Sequence, residues 1–435
     1  MIFNVEALTK IQTLILVIVL IFASVGTIII YSFSNDIDPS TETIKIGILS
    51  DIDYGGGKTM LQGAILAAEQ VNAEGGILGR NVTIVAEDDD TLTGNDPSIS
   101  SQAITKLITV DKADFIITSG IMSIADIYQE IVAEHKKILF HFGDNRDSLT
   151  QKVLENYDRY KYYFRGFANQ TAYRLINRKA LTAMREQTGF NKVAVWGSDI
   201  GTGNPTDETV AVLNDLGFEV VHTASIPSNA IDFSSYFAQA ESKGAEIIIP
   251  QIWAITGGIP LVKEYNGRQS PTVIWGLPYV ASPFGWEYSG GACNYVTSSN
   301  AAVVNGYPLT SKVIPTREAY FERWGEPLDG AYIAFAYDVV RFILPDVIER
   351  AGTIETDAVI AMLETIELEE TSLYKDFAFT ASHDLLVRGN ENPLGTINFQ
   401  WQNGELIPVY PLEVMEKAGA SYIFPDWPGP WDNIS

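Results

Sequence analysis

The feature that most limits how this chain folds is an alternation of short β-branched runs with stretches of helical period, extending from Ile44 to Trp275. The strand candidates are Ile44–Leu49, Val82–Ala86, Phe115–Thr118 and Ile138–Phe142, followed by Val193–Trp196, Glu219–Thr223, Ile247–Ile249 and Val273–Trp275. Between them lie helical patterns over Lys58–Ala73, Ile99–Val110, Ile124–Lys136, Asp207–Leu216 and Phe233–Ser242. A helix inserted between two strands returns the second strand parallel to the first and lies across the sheet. The expected class is therefore α/β, with parallel sheets flanked by helices.

The order breaks once, around Asn169–Gln187, where a long helical pattern has no strand before it. That break predicts a crossing from one sheet to a second, and two lobes of about 150–200 residues each. Further on, Asp329–Arg350 reads as one long helix with a broad apolar face, kinked near its end by Pro345. A hairpin is expected near the C-terminus, turning at Asn403-Gly404.

The N-terminal part follows different rules. No charge interrupts Ile11–Phe33, and a helix of that length spans a bilayer. Lys10 precedes the run, while Asp36, Asp38 and Glu42 follow it, which places residues 1–10 inside and the body outside. A cleaved signal peptide is the rival reading. The apolar core exceeds the roughly 15 residues usual for such peptides, and no clear A-x-A site follows, so the run is read as an uncleaved anchor. Residues 34–42 form a polar tether. Cys293 lies far away, which excludes lipid attachment near the N-terminus.

Composition removes several functions. With 54 Asp+Glu against 29 Lys+Arg and a net charge of −25, the chain lacks the cationic surface that nucleic acid requires. Residues 1–42 hold four acids and one lysine, so nearly all of that charge lies on the body, where self-repulsion favours solubility. A single cysteine permits no internal disulfide, and the four histidines (His135, His141, His222, His383) have no metal-ligand spacing. Gly57-Lys58-Thr59 is not a phosphate loop, because Ile52 stands where the earlier glycine belongs. Neither G-x-S-x-G nor H-E-x-x-H occurs. The acidic run Glu87–Asp90 is read as a solvated strand end rather than a calcium site. No cofactor, metal or catalytic constellation is expected.

The start of the body carries a more specific signal. A strand ends at Ser50, a glycine-rich turn follows (Gly55, Gly56, Gly57), and a helix runs to Asn72-Ala-Glu-Gly75-Gly76-Ile-Leu-Gly79-Arg80 before the second strand. Gly75 and Gly76 can take positive φ and stop the helix. With Gly63-Ala64 and Ala67-Ala68 in the helix, Asp88–Asp90, the Asn95-Asp96-Pro97 turn, and later Phe379–Asp384 and Asn403–Pro411, this pattern resembles a family. It is that of the substrate-binding proteins of branched-chain amino acid, amide and urea ABC transporters. The resemblance covers most of residues 43–411. It implies a two-lobed type I periplasmic binding protein fold with three hinge crossings, near Arg165–Thr171, Asn294–Ala301 and Phe377–Asp384. Residues 43–168 and 302–378 would form lobe 1, and 169–301 and 379–435 lobe 2. Ligand would be trapped between them by hinge closure.

In open parallel sheets, ligands sit beyond the carboxyl ends of strands, against helix N-termini. That rule alone selects Asp51–Gly57, which includes Tyr54, then Gly120–Ser123, then His141–Asn145. Ser123 either donates its hydroxyl to a ligand or serves as a helix N-cap; the two roles share one geometry. The resemblance implies more. Where the family places small and hydroxyl residues for an amino acid's charged groups, this chain has Gly143, Asp144 and Asn145. After Asp199 the family pattern expects an aromatic, and Ile200-Gly201 stands there. Trp253 fits a second aromatic place. A carboxylate for the ligand ammonium is expected where Leu277-Pro278-Tyr279 occurs. Trp253 and Tyr279 either face the ligand or pack in the core or at the rim.

These departures point to an amide, a urea-like compound or another small polar ligand as readily as to an amino acid. The function implied is a non-enzymatic, extracytoplasmic solute-binding protein of an ABC importer, with a permease as partner and the membrane reached through the N-terminal helix. The alternatives are a ligand-sensing ectodomain acting through a partner receptor and, opposed by the missing motifs, an α/β nucleotide-using enzyme.

Overall fold

The computed structural model describes residues 43–52, 55–91, 96–120, 123–198, 207–227, 229–252, 255–277, 280–281, 285–387 and 396–433. The anchor read over 11–33 and the tether over 34–42 lie outside them. Among the described residues, no helix is long and apolar enough to cross a membrane.

Two parallel sheets organise the body. The first contains β1 (Ile44–Leu49), β2 (Val82–Glu87), β3 (Phe115–Thr118), β4 (Ile138–His141) and β5 (Tyr163–Arg165), in the order β2-β1-β3-β4-β5. The second contains β6 (Lys192–Ser198), β7 (Glu219–Ile226), β8 (Ile247–Gln251) and β9 (Val273–Ile274), in the order β7-β6-β8-β9. All pairings within the two sheets are parallel. The strands of β1, β3 and β4 are almost wholly buried, which their unbroken apolar runs required once helices covered both faces. β5 corrects the sequence reading of a helix with no strand before it. At three residues it was too short to register as a run.

A third, antiparallel sheet joins β10 (Thr297–Ala301), β13 (Thr396–Gln402) and β14 (Glu405–Tyr410), and β11 (Glu367–Glu370) pairs with β12 (Lys375–Ala378). The β13–β14 turn is Asn403-Gly404, with φ of 54° and 91°. Those left-handed values suit the turn that matches strand twist in a two-residue hairpin.

Each parallel sheet has its own core. One gathers side chains from residues 44–168 and 301–385; the other gathers them from 180–296 together with Trp401, Val409, Trp427 and Trp431. The chain passes between the cores at Gly166–Asn169, at β10 and at Phe379–Leu385. The first and third passages touch: the Arg165 amide donates to the His383 carbonyl at 2.9 Å, and the Leu385 amide to the Arg165 carbonyl at 3.0 Å.

Two further expectations change. The long late helix is not simply kinked at Pro345. Helix Ala331–Asp338 passes into a π-turn, Val339–Ile343, and resumes as Leu344–Ala351. The Leu344 amide reaches back to the Val339 carbonyl, so the ladder widens by one residue just before the proline that cannot donate. The acidic run is only half solvated: Asp88 and Asp90 are partly exposed, while Glu87 and Asp89 are not. Glu87 is buried with Lys106 Nζ 2.6 Å away, and Asp89 is fully buried and accepts the Tyr128 hydroxyl at 2.6 Å. Burial raises both carboxyls above their ordinary range, outweighing those partners.

Candidate functional site

In the first sheet the chain steps from β1 outward to β2 and from β3 the other way, so the switch point lies between β1 and β3. Ser50 and Ser119 follow those two strands, and their hydroxyls meet across the switch at 2.7 Å. Both are buried. Sequence reasoning passed over this pair, although two serines directly after adjacent strands were visible. Beside it, the helix Gly55–Ala73 begins so close to the strand end that a Cβ on Gly57 would lie 1.9 Å from the Asp51 carbonyl oxygen. Only glycine fits at position 57.

Helix Ser123–His135 starts beyond β3, with Gly120 before it. A Cβ on Gly120 would press into the Tyr128 ring at 2.5 Å. The Gly120 carbonyl accepts from His141 Nε2 at 2.5 Å, and His141 Nδ1 meets the Tyr163 hydroxyl at 2.5 Å. A carbonyl only accepts, so the proton sits on Nε2, and Nδ1 accepts from the tyrosine. Complete burial pushes the imidazole down to about 4, against the opposing pull of Asp144 and the Gly120 carbonyl. His141 is thus a neutral strut between β4, β5 and the segment that leads into Ser123.

The loop after β4 is the best-defined part of the site. Asp144 is buried and its carboxylate is gripped by Arg146: Nε lies 3.0 and 2.9 Å from its two oxygens, Nη2 lies 2.7 Å from one, and the Arg146 amide donates at 2.9 Å. Arg146 also reaches Asp126 at 2.8 Å, and Lys152 joins Asp126 at 3.1 Å. Burial raises Asp126, but these two cations outweigh it and hold the carboxyl below its usual range. The Asn145 carbonyl accepts the Gln170 amide at 2.6 Å, tying the loop to the helix Gln170–Thr188 across the first passage.

In the second sheet, Gln251 ends β8 and its side-chain oxygen is buried without a hydrogen-bond partner among the described residues. Beyond β9, Trp275 is buried, Gly276 takes φ 77°, and the Gly276 and Leu277 amides both donate to the Thr297 carbonyl at 2.9 and 3.1 Å. The predicted residues therefore divide. Gly143, Asp144 and Asn145 stand together beside the start of the Ser123 helix. Tyr54, Asp199, Trp253 and Tyr279 lie outside the described residues. No cluster of His, Cys, Asp or Glu that could hold a metal occurs among the described residues.

Two α/β cores joined by three chain passages define a two-lobed protein. Residues 43–389 match the model of the family described as periplasmic binding protein, and the chain belongs to that family. It is a solute-binding protein and not an enzyme. The Leu/Ile/Val-binding protein homolog 7 of Brucella abortus is 24% identical over 388 residues, covering 86% of this chain and 92% of its own. A Silicibacter pomeroyi structure, provisionally described as a branched-chain amino acid ABC transporter, superposes with a TM-score of 0.75 at 18% identity, covering 90% of this chain and 100% of that one. The branched-chain amino acid transporter substrate-binding protein of Streptococcus pneumoniae, solved with isoleucine, gives 0.67 at 16% identity, covering 84% of this chain and 98% of that one.

Proposed function

We propose that residues 43–435 are the ligand-capturing component of an ABC importer, held on the extracytoplasmic face by an anchor over residues 11–33. Lobe 1 (43–168 and 302–378) and lobe 2 (169–301 and 379–435) close on one small polar solute, and the closed form docks on a permease. The tether keeps the binder close to that permease and raises its effective concentration. The relatives' printed names support the transport reading.

The observation that carries the ligand class is the state of Asp144. Its carboxylate is occupied by Arg146, so the loop does not offer a bare negative charge to a ligand ammonium. What it does offer is backbone polar groups, the Asn145 amide and the amides at the start of the Ser123 helix. Those groups favour a neutral amide or urea-like solute, or the carboxylate end of an amino acid.

Calorimetry of the 43–435 body against amino acids, amides, urea and polyamines tests the assignment. One saturable heat with no change in the ligand is expected. If no compound binds or raises the melting temperature, the small-polar-solute reading fails. Ser123→Ala and Asp144→Ala should each weaken binding about tenfold or more, a loss of ~1.4 kcal/mol. The Asp144 variant leaves Arg146 paired with Asp126, so folding should persist. Unchanged affinity in both would move the site elsewhere.

A further inference from the structure

Arg165, the last residue of β5, is completely buried, and Asp384 beside it is nearly so. Its guanidinium makes four hydrogen bonds and one close ion-pair contact. Nε donates to Asp384 Oδ1 at 2.7 Å, and Nη2 lies 2.5 Å from the same oxygen. Nη2 also donates to Thr150 Oγ1 at 2.9 Å, and Nη1 to the Asp144 and Arg146 carbonyls at 3.1 and 2.7 Å. The other Asp384 oxygen accepts from Thr150 at 2.8 Å and from Asn169 Nδ2 at 2.9 Å. Residues Asn145 and Asp147 also meet the start of the helix that follows the first passage, through the Gln170 amide to the Asn145 carbonyl and the Thr171 hydroxyl to the Asp147 carboxylate at 2.7 Å.

Burying an ion pair is weak support for stability, because desolvation of both charges offsets their attraction. The position of this pair is more informative. One edge of the guanidinium holds two carbonyls of the Asp144–Arg146 loop, while the other is forked onto the third passage. We propose that Arg165 is a positioning residue that locks the strand-end loop to the first and third passages, so that hinge and loop change setting together. The proposal rests on the reading above that this loop meets the solute. A closure that shifts Phe379–Leu385 against Gly166–Asn169 must then alter the loop, and a solute ordering the loop must favour one hinge setting. Lysine cannot reproduce this arrangement, since its three donors on a point charge lack the fork.

Amide hydrogen exchange by mass spectrometry on the ligand-free full chain tests the coupling directly. Asp384→Asn removes the charge on the third passage without touching residues 143–147. Exchange in peptides over 142–148 and 166–171 should accelerate at least tenfold, while β1 and β6 keep wild-type rates. Arg165→Lys should do the same, and the milder Thr150→Val about threefold or more. Wild-type exchange at 142–148 in folded Asp384→Asn, or in Thr150→Val if the charged variants fail to fold, overturns the proposal. So does uniform acceleration that includes β1 and β6. Calorimetry of the wild type with L-leucine and acetamide reports separately on the solute reading, and its failure would leave the exchange result standing.

Discussion

The neutral histidine strut makes a specific claim about acid. His141 has a folded value near 4 and an unfolded value near 6.5. Its folded value is depressed, so its contribution is fully present above 6.5 and is lost as pH falls toward 4. The whole interval of 2.5 units is worth ~3 kcal/mol, and roughly 2 kcal/mol of it is gone by pH 5. The structure gives the cause: protonating Nδ1 places a charge in a fully buried site and turns the acceptor for the Tyr163 hydroxyl into a donor. Absolute stability is not diagnostic, because Asp89 and Glu87, raised by burial, push the opposite way. The difference between wild type and His141→Gln is diagnostic. Urea unfolding at pH 7 and pH 5 should show the wild type losing about 2 kcal/mol more than the variant across that step. Parallel losses in the two proteins would refute the assignment of a neutral Nε2–H imidazole bridging Gly120 and Tyr163.

Three other outcomes follow from the packing. Gly57→Ala should lower both melting temperature and solute affinity, because its Cβ would displace the Asp51 carbonyl at the switch-point edge. Gly63→Ala should cost ~2–3 kcal/mol in thermal unfolding despite alanine's better helix propensity, since the added carbon lies 2.4 Å from the Ile333 carbonyl oxygen. Asp338→Asn should cost ~2–4 kcal/mol by denaturant titration at pH 7, because its carboxylate accepts from Thr371, twice from Ser372, and from Leu373, and an amide nitrogen would oppose two of those donors.

The sheets were legible because their strands are short apolar runs between helical periods, a pattern that burial on both faces imposes. β5 was not, since its three residues earn their place through tertiary contacts: Arg165 pairs with Asp384, far away in sequence. The π-turn was half legible. Pro345 signalled a broken ladder, but whether a helix kinks or widens depends on what packs around it. The acidic run misled for a similar reason, as Tyr128 and Lys106 come from other elements. The rule about strand ends selected the Gly143–Asn145 loop, which does follow β4. It said nothing of Arg146 gripping Asp144, because a pairing two residues apart in a loop has no periodic signature. The Ser50–Ser119 contact was equally silent, since only sheet order makes those residues neighbours.

The second core is closed by Trp427 and Trp431. Trp427 Nε1 donates to the Ser270 carbonyl at 2.9 Å, and Phe424 stacks on Trp431 at 5.9 Å. Among the described residues, the first core takes no side chain from beyond residue 385. During synthesis, therefore, the two halves mature at different moments. Among the described residues, the first has its apolar side chains once Leu385 has emerged, while the second keeps Tyr265 on the helix Ile255–Arg268 uncovered until Trp427 arrives. In that interval the growing chain carries one completed half and one exposed half, and the exposed surface is where a chaperone or an off-pathway contact would first take hold.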